Sequence, residues 1–244
     1  MSRAHNIAPN RHAVHPFDAK HGTDTGGYLR PDEIRGGGGK DRADGMLMET
    51  DAANNGYSAV APSVFCEALR LWRRTLVPSA TRFEAYTFVD VGAGKGRAML
   101  MAVESPFRRV IGVELSAELF RIAQANLSRW NRFALPRSKV RILHQDAMQF
   151  RWPHPPVLVF LNNPFEGALV ERLAANLAAA AARGPDLVDL IYVNPGCAAA
   201  LTRQGNFRLL WDTQLQMDEG DRRADPFGAA ADRVAAFRYA AKLH

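Results

Sequence analysis

Between residues 86 and 193 the chain repeats one rhythm: a short apolar run, a turn, and a stretch of helical periodicity. Tyr86–Val91, Arg109–Leu115, Val140–Leu143, Val157–Leu161 and Leu187–Val193 are the apolar runs, and VLVFL at 157–161 contains no polar residue. A strand without polar alternation has to be covered on both faces, as the central strands of a parallel sheet are. The intervening helices supply that cover. Ser116 opens one whose Leu119, Ile122, Ala123 and Leu127 share a face, and Leu169, Leu173 and Leu177 follow at steps of four in an alanine-rich segment. Phe207–Leu210 and Val234–Tyr239 add two more strands with no long helix between them. The expectation is an α/β fold with a doubly wound, seven-stranded, mostly parallel sheet. Ligands of such sheets lie beyond the carboxyl ends of the strands, near the first strand, where the strand order reverses.

The part of the chain before this rhythm reads differently. Val64, Phe65, Ala68, Leu69, Trp72 and Leu76 recur at spacings of three and four, Pro62 suits a first helical turn, and Pro78 closes the helix. Residues 1 to about 45 hold few strong apolar residues (Ile7, Val14, Phe17, Leu29 and Ile34) and four consecutive glycines at 36–39. They read as an arm, with His5, His12, His15 and His21 solvated and no metal bound. Within it, Phe17–Tyr28 has an aromatic at each end and glycines between, the composition of a segment that opens and closes over a site. The chain thus divides into residues 1–84, an arm and a helical cap acting as a lid, and residues 85–244, a ligand-binding domain.

Composition removes several classes. No stretch of 18 apolar residues is present and the N-terminus lacks a signal-peptide core, so neither a membrane span nor secretion is expected. Two cysteines, Cys66 and Cys197, support no disulfide framework or zinc finger, and a cytoplasmic protein fits best. The net charge of +6 rests on arginines scattered as singles and pairs, with five lysines, so nucleic acid is not the expected partner.

The chemistry sits in four turns. Phe88-Val89-Asp90-Val91-Gly92-Ala93-Gly94-Lys95-Gly96 leaves a buried strand and enters a helix. Its glycines let backbone N–H groups approach a ligand, but the spacing is G-x-G-x-G, and Asp90 stands two residues ahead of the first glycine. A carboxylate there repels a pyrophosphate and attracts an ammonium group. That choice favours S-adenosyl-L-methionine, which carries an amine and a sulfonium, over a dinucleotide. Glu114, in Gly112-Val113-Glu114-Leu115, lies 22 residues beyond Gly92, the offset at which an acid accepts from ribose hydroxyls. Gln145-Asp146-Ala147 places a carboxylate where an adenine amino group could donate to it. Asn162-Asn163-Pro164-Phe165, after the all-apolar strand, offers amide oxygens to aim an acceptor's lone pair and an apolar wall in Phe165.

With these residues in hand, the run from Phe88 to about Pro195 resembles the class I S-adenosylmethionine-dependent methyltransferases. Within them, FLNNPFEG at 160–167 and GYSAVAPSVF at 56–65 look like the corresponding segments of the histone-lysine methyltransferases that lack a SET domain, and the whole chain resembles small bacterial proteins of this class. The resemblance implies a Rossmann-like fold. It implies cofactor contacts from Tyr57, Asp90, Gly92, Ala93, Gly94, Gly96, Glu114, Leu115, Asp146, Ala147 and Asn162. It places Asn162 beside the transferred methyl, with Asn163 and Phe165 next to it. The sequence departs from the histone enzymes' Asn-Phe-Ala-Phe and shows no long basic nucleosome-binding extension. The expected activity is methyl transfer to an amine of a small molecule or a protein side chain. An O-methyltransferase of a small metabolite, a non-catalytic S-adenosylmethionine-binding module and a nicotinamide oxidoreductase stay open as alternatives. The acceptor and the oligomeric state are not encoded in any motif.

Overall fold

The structure, a computed structural model, describes residues 14–36, 55–76, 82–130, 139–183, 187–203 and 206–240. His5, His12, Ile7, Gly37–Gly39 and the helix-closing Pro78 lie outside these residues. The chain opens with α1 (Pro16–His21), β1 (Tyr28–Leu29) and α2 (Pro31–Gly36); β2 (Tyr57–Ser58) pairs antiparallel with β1, and α3 (Pro62–Arg74) follows. The alternating part comprises β3 (Thr87–Val91), α4 (Arg97–Val103), β4 (Arg109–Glu114), α5 (Ala117–Trp130), β5 (Val140–His144), β6 (Val157–Asn162), α6 (Gly167–Ala181), β7 (Val188–Val193) and α7 (Ala198–Arg203). It ends with β8 (Phe207–Gln216), α8 (Glu219–Ala224) and β9 (Ala231–Tyr239).

The large sheet has seven strands in the order β5-β4-β3-β6-β7-β9-β8. The β3/β4, β3/β6, β4/β5 and β6/β7 pairs are parallel, and β9 runs antiparallel to both β7 and β8. The order reverses on either side of β3, as the apolar rhythm predicts.

Strict alternation along the central strands builds two cores. Phe88 of β3 and Leu158 and Phe160 of β6 face one side, where Val64, Phe65 and Trp72 of α3, Met99 of α4 and Ala123 of α5 cover them. Val89 and Val91 of β3 and Val157, Val159 and Leu161 of β6 face the other, under Leu169, Leu173 and Leu177 of α6 and Leu201 of α7. Phe65 meets Phe160 edge-on at 5.3 Å between ring centroids and Phe88 at 6.0 Å, so α3 interlocks with the sheet instead of resting on it.

Two expectations are revised. β8 and β9 are longer than their apolar runs, because β8 is an edge strand whose exposed Arg208, Asp212, Thr213 and Gln214 satisfy the ladder without contributing to a core. His15 is not solvated: it is 5% exposed, its Nδ1 accepts the Phe17 N–H as the cap of α1, and its Nε2 lies 3.1 Å from Asp221 Oδ1. His21 is also partly covered, with its ring 4.2 Å from that of Trp130. A polar segment is buried when each polar group meets another, and residues 14–29 follow that rule.

No helix among the described residues is long and apolar enough to cross a membrane.

Candidate active site

The carboxyl ends of β3, β4, β5 and β6 gather the motifs of the sequence. Gly92 and Gly94 have φ of 70° and 55°, a left-handed backbone that a side chain would strain. Space forbids a side chain as well. A Cβ on Gly92 would sit 2.7 Å from Pro164 Cβ, and one on Gly94 would sit 2.3 Å from the Tyr57 ring. The glycines thus let the β3 turn pass directly against the β6 turn on one side and under Tyr57 on the other. The turn is tied to β4, since the N–H groups of Gly92 and Ala93 both donate to Val113 O, at 2.9 and 3.1 Å.

Beneath it lie two buried carboxyl groups. Asp90 is 3% and Glu114 6% exposed. Burial, and then the neighbouring charge of Glu114, push Asp90 up to about 7. Burial also raises Glu114, while the N–H groups of Ser116, Gly94 and Leu115 work against the rise. Glu114 Oε2 accepts from Gly94 N at 2.7 Å and Oε1 from Ser116 N at 2.8 Å. A carboxylate offers about four acceptor positions, so beside these three N–H groups at least one remains open in an orientation the bonds hold. Among the described residues no lysine or arginine forms an ion pair with either acid. Two buried acids that lack a counter-ion among the described residues favour a cation beside them.

The other predicted contacts fall nearby with different surroundings. Leu115 is half-buried, with its carbonyl 2.9 Å from His144 Nε2. Asp146 is half-buried, and its Oδ1 caps the turn at Ala147–Gln149 by accepting from Met148 N at 2.8 Å, which leaves its second oxygen for another donor. Ala147 is buried beside it.

At the end of β6, Asn162 Nδ2 donates to Ser58 O at 2.8 Å, which turns Oδ1 of the same amide away, with no hydrogen-bond donor to it among the described residues. Asn163 has φ 45°; its carbonyl accepts from Asn55 Nδ2 at 2.8 Å and its Oδ1 lies 3.4 Å from the Tyr192 hydroxyl. Phe165 does not line this turn. It is 6% exposed and packs with Leu169 and Val170 in the core beneath α6, so it supports the turn from behind.

Sequence reading named Tyr57 and the Phe17–Tyr28 segment but missed the polar partners, Asp18, Arg97, Lys95 and Asn126, that fasten them over the glycine turn. Tyr57, 8% exposed, donates its hydroxyl to Thr25 O at 2.6 Å. Arg97, 4% exposed, donates Nε to Thr25 Oγ1 at 2.7 Å and pairs with Asp18 Oδ2 at 3.3 Å, and Asp18 Oδ1 accepts from Thr23 and Thr25. Lys95 Nζ reaches Asp24 Oδ1 at 3.0 Å and Gly26 O at 2.9 Å, and Asn126 exchanges hydrogen bonds with the Asp24 backbone. Residues 14–29 therefore form a strap held by polar contacts over the β3 turn. The signal was present as an unusual density of Asp, Thr and Lys in DAKHGTDTGG, but only the arginine opposite makes it legible.

Among the described residues no three His, Cys, Asp or Glu side chains gather as a metal site requires. No protein-family profile matches the chain, and no curated protein matches its sequence. Solved structures do match. The N-methyltransferase NodS from Bradyrhizobium japonicum WM9, in complex with S-adenosyl-L-homocysteine, superposes with a TM-score of 0.50 at 12% identity over 85% of this chain and 97% of that one. A structure of the conversion of a disulfide bond into a thioacetal group during echinomycin biosynthesis gives 0.50 at 12% identity, over 74% and 82%. A putative RNA methyltransferase from Pyrococcus horikoshii gives 0.48 at 19%, over 74% and 83%. At these identities the likeness is one of fold: the chain has the α/β fold of the class I methyltransferases.

Proposed function

We propose that this protein is an S-adenosylmethionine-dependent methyltransferase acting on a nitrogen acceptor. The observation that carries the reading is the pair of buried carboxyl groups, Asp90 and Glu114, that no lysine or arginine among the described residues pairs with, under a glycine turn where the sheet order reverses. This pair suits a ligand with an ammonium group and ribose hydroxyls. Asp90 would face the ammonium and the open acceptor position of Glu114 the ribose. The free oxygen of Asp146 would accept from the adenine amino group, with Leu115 and Ala147 as apolar neighbours, and Tyr57 would close over Gly92–Gly96. When bound, the cofactor supplies an electrophilic methyl group on a sulfonium.

The chain's own part is to orient and to exclude water. With Nδ2 donating to Ser58 O, the Asn162 amide is held with Oδ1 oriented as an acceptor, where it would receive an N–H of the methyl acceptor and fix its lone pair. The Asn163-Pro164 turn, pressed on Gly92, sets the distance between that amide and the β3 turn. The similarity of FLNNPFEG and GYSAVAPSVF to the SET-less histone-lysine enzymes supports an amine as acceptor. The strap over Tyr57 acts as the lid of the site, with residues 1–84 carrying that cover and 85–244 the cofactor.

Calorimetric titration tests the cofactor. S-adenosylmethionine and S-adenosylhomocysteine are expected to bind and NAD to give no signal, whereas NAD binding with the other two silent overturns the reading. Glu114→Ala is expected to weaken binding by about 1–3 kcal/mol, the cost of leaving polar groups of the bound ligand unpaired. A chain lacking residues 1–28 is expected to bind more weakly in the same titration if the strap is the cover.

Asn162→Ala tests the acceptor side. Transfer of radiolabelled methyl into a lysate is expected to drop while cofactor affinity stays within a factor of about two, because the amide acts on the acceptor. A collapse of cofactor binding would make Asn162 a cofactor contact instead.

A further inference from the structure

The two edges of the large sheet differ in charge. At the carboxyl edge the strands carry acids: Asp90 on β3, Glu114 on β4 and, near the start of the antiparallel β9, Asp232. The amino edge is cationic. Arg108 precedes and Arg109 opens β4, Lys139 precedes β5, Arg141 is the second residue of β5, and Arg73 and Arg74 end α3. All six are exposed. Along the chain they stand apart as singles and pairs, and the sheet gathers them.

Contacts beneath them join them into one surface. The Arg73 guanidinium lies 4.7 Å from the centroid of the Phe83 ring, and Phe83 packs on Phe107 with centroids 4.7 Å apart. Arg108 follows Phe107, and its backbone N–H donates to Tyr86 O at 2.9 Å, which holds the start of β4 against the chain entering β3. The Val110 N–H donates to Lys139 O at 2.7 Å. Arg109 and Lys139 thus each precede a paired residue, Val110 and Val140, on neighbouring strands about 4.8 Å apart. Arg141 is in register with Ile111, two residues beyond Arg109, so alternation puts Arg109 and Arg141 on one face.

These charges lack counter-ions. Among the described residues no carboxylate pairs with Arg74, Arg108, Arg109, Lys139 or Arg141. Of the acids on this side, Glu84 pairs with Arg82 at 3.5 Å, Asp189 is taken by Arg238, and the charge of Glu104 falls on His21 and Cys66. Like charges side by side on adjacent strands repel, and an anion spanning them would offset the repulsion. The surroundings decide which kind of anion fits. Among the described residues the exposed large apolar side chains are Val14, Leu209 and Phe227, and none belongs to this surface. It therefore lacks the apolar anchor with which a protein enters a bilayer. Phe83 and Phe107 are buried beneath the cations, so no aromatic face is offered to a base. Cations spread over several elements without stacking groups match a phosphate backbone, which arginine grips bidentately and without regard to sequence.

We infer that the amino edge of the sheet binds the phosphate backbone of a nucleic acid, against what the scatter of its cations along the chain suggests. The surface lies at the far end of the strands from the glycine turn, and the inference stands independently of the methyltransferase reading. Fluorescence anisotropy with two short DNA duplexes of unrelated sequence tests it. Both are expected to bind with the same, roughly micromolar, affinity at low salt. Between about 50 and 200 mM salt, the logarithm of the binding constant is expected to fall against that of the salt with a slope of about four to five, since each phosphate contact contributes about 0.9. Arg109→Gln with Arg141→Gln is expected to lower that slope by about two and the low-salt affinity by about tenfold or more. Arg222→Gln with Arg223→Gln, on α8 at the other edge, removes the same charge and is expected to leave the slope as it is. Melting temperatures of both variants should match that of the wild type. No binding at low salt, equal losses in the two double variants, an affinity that depends on the duplex sequence, or capture of phosphatidylserine vesicles while the duplexes stay free would each overturn the inference. Calorimetry with S-adenosylhomocysteine reports on the cofactor side alone, so silence there would overturn the methyltransferase reading and leave this surface as it stands.

Discussion

Replacing Asp90 with asparagine is expected to stabilise the protein at pH 8 and to abolish its binding of S-adenosylmethionine. The carboxyl is buried beside Glu114 and pushed up to about 7, against an ordinary value of about 4 in an unfolded chain. Its folded pKa therefore lies above its unfolded one. Between about pH 4 and 7 the folded state holds a proton that unfolding releases, so this group's contribution falls as pH rises through that window, and above about 7 its full cost is felt. That cost is at most roughly 4 kcal/mol. Asparagine keeps the shape and carries no charge, so the difference in melting temperature between variant and wild type should be small at pH 4 and largest above pH 7. Cofactor binding has the opposite sign. A cationic ligand favours the ionised acid, so wild-type affinity for S-adenosylmethionine is expected to rise as pH increases towards and through 7, with proton release, and the variant to show neither. A wild type that is more stable than the variant at pH 8 would mean that Asp90 already has a counter-charge and does not attract a cationic ligand.

The second large effect is on the fold. Asp189 on β7 is fully buried and accepts two hydrogen bonds from Arg238 on β9, at 2.7 and 2.9 Å. It also accepts from Trp72 Nε1 at 2.8 Å and the Tyr86 hydroxyl at 3.1 Å. Arg238 continues to Thr75, so one carboxylate joins the end of α3 to the antiparallel side of the sheet. Asp189→Ala leaves a buried guanidinium uncompensated and two aromatic donors unpaired, and is expected to cost about 3–5 kcal/mol. That is a large share of the roughly 5–15 kcal/mol of a typical domain, and soluble yield should fall with it. Arg238→Met in the same chain removes the stranded charge. Urea unfolding should show the double variant to be more stable than Asp189→Ala alone. Equal midpoints for the two would mean that the pair is hydrated and contributes little.

The sheet and the turns at its carboxyl edge were legible in the sequence because each of their parts is local. Five apolar runs and the helical periodicities between them determined a doubly wound sheet. The glycine spacing with Asp90 and the acid at Glu114 fell where the sequence put them, since a turn after a strand always falls at the sheet's carboxyl edge. Residues a few positions apart decide such features, whatever the rest of the chain does.

The sequence marked Phe17–Tyr28 and Tyr57 as a cover, but the contacts that hold that segment in place were decided by tertiary structure alone. Asp18 and Arg97 are 79 residues apart, Asn126 and Asp24 are 102 apart, and Asp221 and Ser63 are 158 apart. In the sequence these are polar residues in polar surroundings, which read as solvated. A polar group can be buried only when its partner arrives, and nothing local announces a partner so distant. Phe165 shows the converse: its neighbours in the chain suggested an exposed wall, but α6 turns it into the core. Periodicity and turn chemistry reach a few residues along the chain. The pairing of Asp18 with Arg97, and of His15 with Asp221, exists only once the sheet has brought the ends of the chain over its own carboxyl edge.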